Sequence, residues 1–194
     1  ITDQYDMDLI CPEGDLPRFA VDKQATTVEW KFYQHSLRNP ISSLKCLYKT
    51  ISLLKRLSPK IIHTGDILAL RSLAAASKIL NIPIICHVHF PYDTSFIDWV
   101  FSKAPLVHTF IYCSQELKRN LSPKLSEKVP KAIHRVVHNG IDIHTFKPGG
   151  KPLLNVIPRI GIIGNLQKRK GHDEFLQMAC ILKTAGVTAQ FEII

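Results

Sequence analysis

The chain carries no apolar run long enough to span a bilayer. Leu80 to Cys86, among its longest apolar stretches, is broken by Asn81 and Pro83, and a membrane helix needs about 20 apolar residues. There is no Cys-x-x-Cys to make a zinc ribbon or dithiol redox site, and no Gly-x-Gly-x-x-Gly or Walker loop to hold a nucleotide in the commonest ways. A Gly-x-Ser-x-Gly nucleophile elbow is also missing. Aromatic residues make up only 8% and lie in apolar runs rather than beside arginine, so the stacking pattern of an RNA reader is absent. The first residues, Ile-Thr-Asp-Gln-Tyr-Asp, lack an initiator methionine and the basic and apolar regions of a signal peptide, and read as an internal start.

What is present describes a globular chain. Apolar residues reach 45% and charged ones 21% over 194 residues. The five cysteines, Cys11, Cys46, Cys86, Cys113 and Cys180, are odd in number, widely spaced and mostly set in apolar runs. They read as reduced, buried residues of a cytoplasmic protein. A formal charge of +9 favours an anionic partner: a nucleotide, a nucleic acid or an acidic membrane surface.

Hydrophobic patterning alternates between strand and helix. Tyr5 to Cys11 and Val28 to Tyr33 read as strands, and Asn39-Pro40 opens a helix with the stripe Ile41, Leu44, Leu47, Tyr48, Ile51 and Leu54 expected to face the core. Lys45, Lys49 and Arg56 lie on another face of that helix, a solvated row or a contact for anionic lipid. Short strands at 60–63, 84–89, 107–113 and 134–137 follow, with helices from Ile67 and from Ser114 between them. This strand-helix-strand order predicts a parallel α/β sheet. Pro91 to Lys103, with Tyr92, Phe96, Trp99 and Phe101, reads as a short helix packed on the core or as a substrate loop. Phe146 to Pro158 holds the prolines and glycines of a linker.

Beyond the linker, Arg159 to His172 is the most informative stretch. A buried strand, Ile160 to Ile163, breaks at Gly164; Lys168, Arg169 and Lys170 follow, then Gly171, and from Asp173 the apolar period is helical. In an open α/β sheet such a turn lies at the strand's carboxyl end, where unpaired helix amides and lysines can hold an anion. The residues by themselves fit an ordinary solvated βα turn equally well. Ala189 to Ile194 has strand composition and would complete one β-α-β unit.

Other candidates are single side chains. Cys86, His87 and His89 invite a metal reading, but no second cluster supplies further ligands. His89 ends its strand, where an imidazole can donate a hydrogen bond or exchange a proton. His63 and Asp66 follow another strand, with Asp66 suited to cap the next helix; Ser114 likewise suits a cap better than a nucleophile.

Taken in order, Ile61–Asp66 (I-I-H-T-G-D), Asn81–His89 (N-I-P-I-I-C-H-V-H), Phe110–Leu117 (F-I-Y-C-S-Q-E-L), His138–Pro148 (H-N-G-I-D-I-H-T-F-K-P) and Ile160–His172 (I-G-I-I-G-N-L-Q-K-R-K-G-H) resemble the retaining GT-B glycosyltransferases of family 4. The resemblance implies a Rossmann-like acceptor domain over residues 1–148 without its first strand, a linker at 149–158, and over 159–194 the opening β-α-β unit of a nucleotide-sugar-binding domain. Paired glutamates and the base site would lie beyond Ile194, and a chain holding only these parts is expected to be inactive. Lys170 matches the lysine that binds the donor diphosphate, within a donor loop of Gly164, Asn165, Arg169, Lys170 and Gly171. Asn165 stands where the family often has arginine, and Arg169 is a nearby substitute. His89 matches the histidine that reaches toward the transferred sugar; His63, Ser114, Asn139 and Gly140 match positions near the cleft or hinge. The implied reaction is retaining transfer from a nucleotide-diphosphate sugar to a glycan, lipid or other acceptor, with no metal or other cofactor. A cytoplasmic protein in peripheral contact with the inner face of the membrane follows from the same comparison. Two other readings are a nucleotide-sugar 2-epimerase, which shares the fold without the N-G-I-D and K-G landmarks, and a non-catalytic basic nucleotide- or RNA-binding module.

Overall fold

In a computed structural model, the structure describes residues 6–12, 26–30, 40–103, 106–147, 149 and 157–194. The chain divides into two compact units, Ile1–Gly140 and Ile141–Ile194. Most of the sequence-predicted linker, 150–156, lies outside the described residues.

The first unit contains a two-stranded parallel sheet, β1 (Asp8–Cys11) with β2 (Thr26–Glu29), and a four-stranded one of β3 (Ile62–Thr64), β4 (Ile84–Val88), β5 (Thr109–Tyr112) and β6 (Ile133–Val136) in sequential order. Every pairing is parallel. Parallel neighbours require crossover connections, which in the four-stranded sheet run through α2 (Leu70–Leu80), α3 (Thr94–Val100) and α4 (Gln115–Lys128), while α1 (Pro40–Leu57) lies between β2 and β3 of the two sheets. Strand ends differ from the sequence reading by a residue or two, as hydrophobic runs extend past the last ladder bond.

Alternation along the strands decides which side is core. Ile84, Cys86, Val88, Phe110 and Tyr112 point one way and are fully buried. Against them pack Leu70 and Leu73 of α2, Ile97 and Val100 of α3, and Leu117, Leu121 and Leu125 of α4, at the i, i+4 spacing of an amphipathic stripe. Pro91 to Lys103 thus contains a short helix packed on the core, and Tyr92 and Phe96 lie against the same cluster. The opposite alternation, with Ile85, His87, Thr109, Ile111, Ile133 and Arg135, is only half-buried or exposed, although parallel sheets are ordinarily covered on both faces. Among the described residues no helix contributes to a core on that side.

The predicted stripe of α1 needs correction. Leu54 is buried against Ala76 and Ile82, with Leu47 and Ile51 partly covered, but Ile41, Leu44 and Tyr48 are about 70% exposed. The helix packs mainly on α2, with Ile62 of β3 against the same cluster, and the flank carrying Cys46, Thr50, Leu53 and Leu54 is the one enclosed.

The second unit has β7 (Arg159–Ile162) and β8 (Gln190–Ile193) paired in parallel around α5 (His172–Thr184). Arg159 and Glu192 form an ion pair across the two strands, and Phe175 of α5 meets Phe191 edge-on at 6.1 Å.

Candidate functional site

The sequence-predicted donor loop follows β7. Gly164 has φ +156°, and its backbone N–H donates to Ile194 O at 3.1 Å. A Cβ built on Gly164 would lie 3.9 Å from Cδ of Lys170, an ordinary van der Waals distance, so the lysine stem runs beside the glycine. Gln167 N donates to Asn165 O, and a single 3₁₀ turn, Lys168–Lys170, leads into Gly171. There the chain takes φ +76°, a left-handed conformation that glycine adopts without the Cβ clash other residues meet, and α5 begins. The first helical bond is Phe175 N to Gly171 O at 2.9 Å. The amides of the first turn consequently have no intrahelical carbonyl and face outward from the helix start. Asp173 and Glu174 in that turn complement the helix dipole.

Lys168, Arg169 and Lys170 are all exposed at this turn. Arg169 Nε donates to Gln167 Oε1 at 2.9 Å, so that guanidinium is bonded along its own turn. Asn165 is exposed at the other end of the loop. Gly164 and Gly171 thus set the turn of the loop, with Asn165, Lys168, Arg169 and Lys170 exposed along it.

The first unit supplies the remaining predicted residues. His89 follows β4 at the carboxyl edge of the sheet and stacks on His87 with ring centroids 4.1 Å apart; His87 stacks in turn on His63 of β3 at 5.8 Å. This column exists because Ile62 pairs with Ile84, which brings the His63 row onto the same side as His87. Burial, and then the charges of His89 and His63, hold His87 below the ordinary imidazole pKa. Asp66 accepts from Leu68 N at 2.7 Å as a cap and from the Tyr92 hydroxyl at 3.3 Å. Burial, then the Asp66 carboxylate, pushes the Tyr92 phenol up, while burial lifts the Cys86 thiol to about 12. Ser114 Oγ accepts from Leu117 N at 3.1 Å, which makes Ser114 the cap of α4. Asn139 and Gly140 are exposed where the first unit ends. In the second unit Asp142 follows, accepting from His144 N, Thr145 N and the Thr145 hydroxyl.

One arrangement escapes sequence reading altogether. His134 on β6 is bonded at Nδ1 to the Tyr112 hydroxyl (2.7 Å) and at Nε2 to Ser126 Oγ (3.1 Å). Three elements meet there, and no local spacing signals it. Burial, then Lys118, lowers the His134 pKa. Among the described residues no three His, Cys, Asp or Glu side chains converge as metal ligands.

The parallel sheets with crossover helices, and a glycine-lysine turn opening a second α/β unit, define a protein of the GT-B type. The fold is that of Acinetobacter baumannii MurG: the TM-score is 0.52 at 10% identity, and the match covers 100% of this chain and 58% of the MurG chain. Residues 2–145 match the sequence model of Glycosyltransferase Family 4, and the chain belongs to that family. No curated protein matches it by sequence.

Proposed function

We propose that the chain is part of a retaining glycosyltransferase that moves a sugar from a nucleotide-diphosphate sugar to a glycan, lipid or other acceptor. The observation that carries this reading is the donor loop, with the Lys170 stem beside Gly164 at the start of α5, in a chain whose residues 2–145 match the family. As the sugar leaves, negative charge grows on the diphosphate, and an ammonium beside outward helix amides stabilises that charge more than the ground state. Lys170 and Gly171 hold the diphosphate at the turn that Gly164 opens, and Asn165 and Arg169 border it. By the resemblance to the family, His89 is assigned to the transferred sugar. The chemistry needs no metal in this reading, the lysine and amides taking that role.

Residues 1–148 form the acceptor-side domain and 159–194 begin the donor domain, joined by 149–158. The break between the β1–β2 and β3–β6 sheets supports an absent first strand: in the Rossmann order 3-2-1-4-5-6, strand 1 lies between strands 2 and 4. Asn139 and Gly140 serve as the hinge.

The exposed side of α1 supports peripheral contact with the inner face of an anionic membrane. Ile41, Leu44 and Tyr48 share it with Lys45, Lys49 and Arg56, and the helix sequence contains no acid. Among the described residues no helix is long and apolar enough to cross a membrane.

The test is a survey of nucleotide-diphosphate sugars with the full-length enzyme, following the anomeric configuration of the product by NMR. Release of nucleoside diphosphate with an unchanged anomeric configuration is expected; an inverted product overturns the retaining assignment, and no transfer from any donor overturns the whole reading.

A further inference from the structure

The face of the four-stranded sheet on which, among the described residues, no helix packs carries a column of three imidazoles, two of which the proposed donor chemistry leaves unused. His63 and His87 lie at 5.8 Å with 18° between their planes, and His87 and His89 at 4.1 Å with 29°. The middle ring is half-buried, and its Nε2 is buried without a hydrogen-bond partner. Its low proton affinity, set first by burial and then by its two neighbours, matches that geometry.

The surroundings carry charge of both signs. Register places Ile111 of β5 beside His87 and Arg135 of β6 one strand further along the same row, and the Asp66 carboxylate acts on Cys86, the neighbour of His87. Cys113, which follows β5, donates its thiol to His89 O at 3.8 Å. The nearest acid in sequence to His63, Asp66, is occupied by Leu68 N–H and the Tyr92 hydroxyl. Among the described residues no carboxylate pairs with the three rings.

We propose that His63, His87 and His89 form a proton-loaded site for a tetrahedral dianion, a phosphate group or its sulfate analogue, on this face of the sheet. Positive charge on the neighbouring rings opposes protonation of His87. A dianion accepting from the ring N–H groups offsets that opposition and draws in a further proton. Binding and protonation are then linked, and affinity rises about tenfold per pH unit of acidification for each coupled proton. The site lies within the first unit, requires no nucleotide and shares only His89 with the proposed sugar chemistry, so it stands apart from the donor loop.

Sulfate is the first probe, because its charge stays constant between about pH 5.5 and 7.5, the range where imidazole titrates. Ring-nitrogen NMR of the protein should show the His63, His87 and His89 signals moving together on adding sulfate, with affinity rising toward acid. His87→Phe should abolish the pH dependence. His63→Gln, at an exposed position where folding is not at stake, should weaken sulfate binding about tenfold with an unchanged backbone spectrum. Lys170→Ala should leave the ring signals as they are, which separates failure here from failure of the donor loop. A sugar monophosphate binding more tightly than inorganic phosphate assigns the site to an acceptor's phosphate; equal binding assigns it to the free ion. Ring signals that ignore sulfate, an affinity independent of pH, or wild-type binding by both variants would overturn the proposal.

Discussion

The loop before α5 turns on two glycines with positive φ: Gly164 at +156°, beside the Lys170 stem, and Gly171 at +76°, where α5 starts. Gly171→Ala forces a Cβ into the left-handed region and is expected to cost about 1–2 kcal/mol of stability in the second unit, read by thermal unfolding; an unchanged midpoint would show that the turn tolerates the residue. His134 makes a separate prediction. Its pKa is depressed in the fold by burial, so its stabilising contribution is whole above about pH 6.5, the ordinary imidazole value. That contribution declines as pH falls below this value, and levels off below the folded-state pKa. His134→Ala also strips the buried Tyr112 hydroxyl of its partner, at about 1–3 kcal/mol, and should flatten the acid limb of a denaturant-stability profile against pH. Strand alternation put His87 and His89 on one side from sequence alone. That His63 completes the column depends on the β3–β4 register, and that Tyr112, His134 and Ser126 meet depends on three elements; neither is written in local spacing.

Elements show the same boundary between legible and hidden. The helix of residues 115–128 followed from its cap and apolar period, Ser114 binding the amide expected of it; the helix read from Ile67 begins instead with a 3₁₀ turn, Ile67–Ala69, that Asp66 caps, and turns α-helical from Leu70. Ser114→Ala is expected to destabilise by about 1 kcal/mol in urea unfolding. For α1 the period gave a stripe but not the surface that covers it. Leu54, buried against Ala76, should lose about 2–5 kcal/mol on truncation to alanine, whereas Tyr48→Ser should stay within about 0.5 kcal/mol. The sequence reading ranked both as core. The exposed arc is predicted to act elsewhere: Lys45→Glu with Lys49→Glu should reduce co-sedimentation with anionic vesicles, and added salt should do the same to the native protein, because screening weakens surface attraction. Retained binding in the double variant would remove α1 from the membrane contact.

At the scale of the whole molecule, parallel strands linked by helices were readable because βαβ crossovers repeat the same switch of period. What sequence period could not supply is the interruption of the sheet between β1–β2 and β3–β6, since pairing partners are not encoded by spacing. The chain spans 58% of the length of the MurG chain it resembles, and the family match ends at residue 145, before the donor loop. The account of sugar transfer therefore turns on that loop. Isothermal titration of nucleoside diphosphates into the full-length protein, native and Lys170→Ala, tests it most directly. The native protein should bind, and the variant should bind roughly a hundredfold more weakly, equivalent to about 3 kcal/mol of lost charge stabilisation; equal affinity in the two would contradict the assignment of Lys170 to the donor diphosphate.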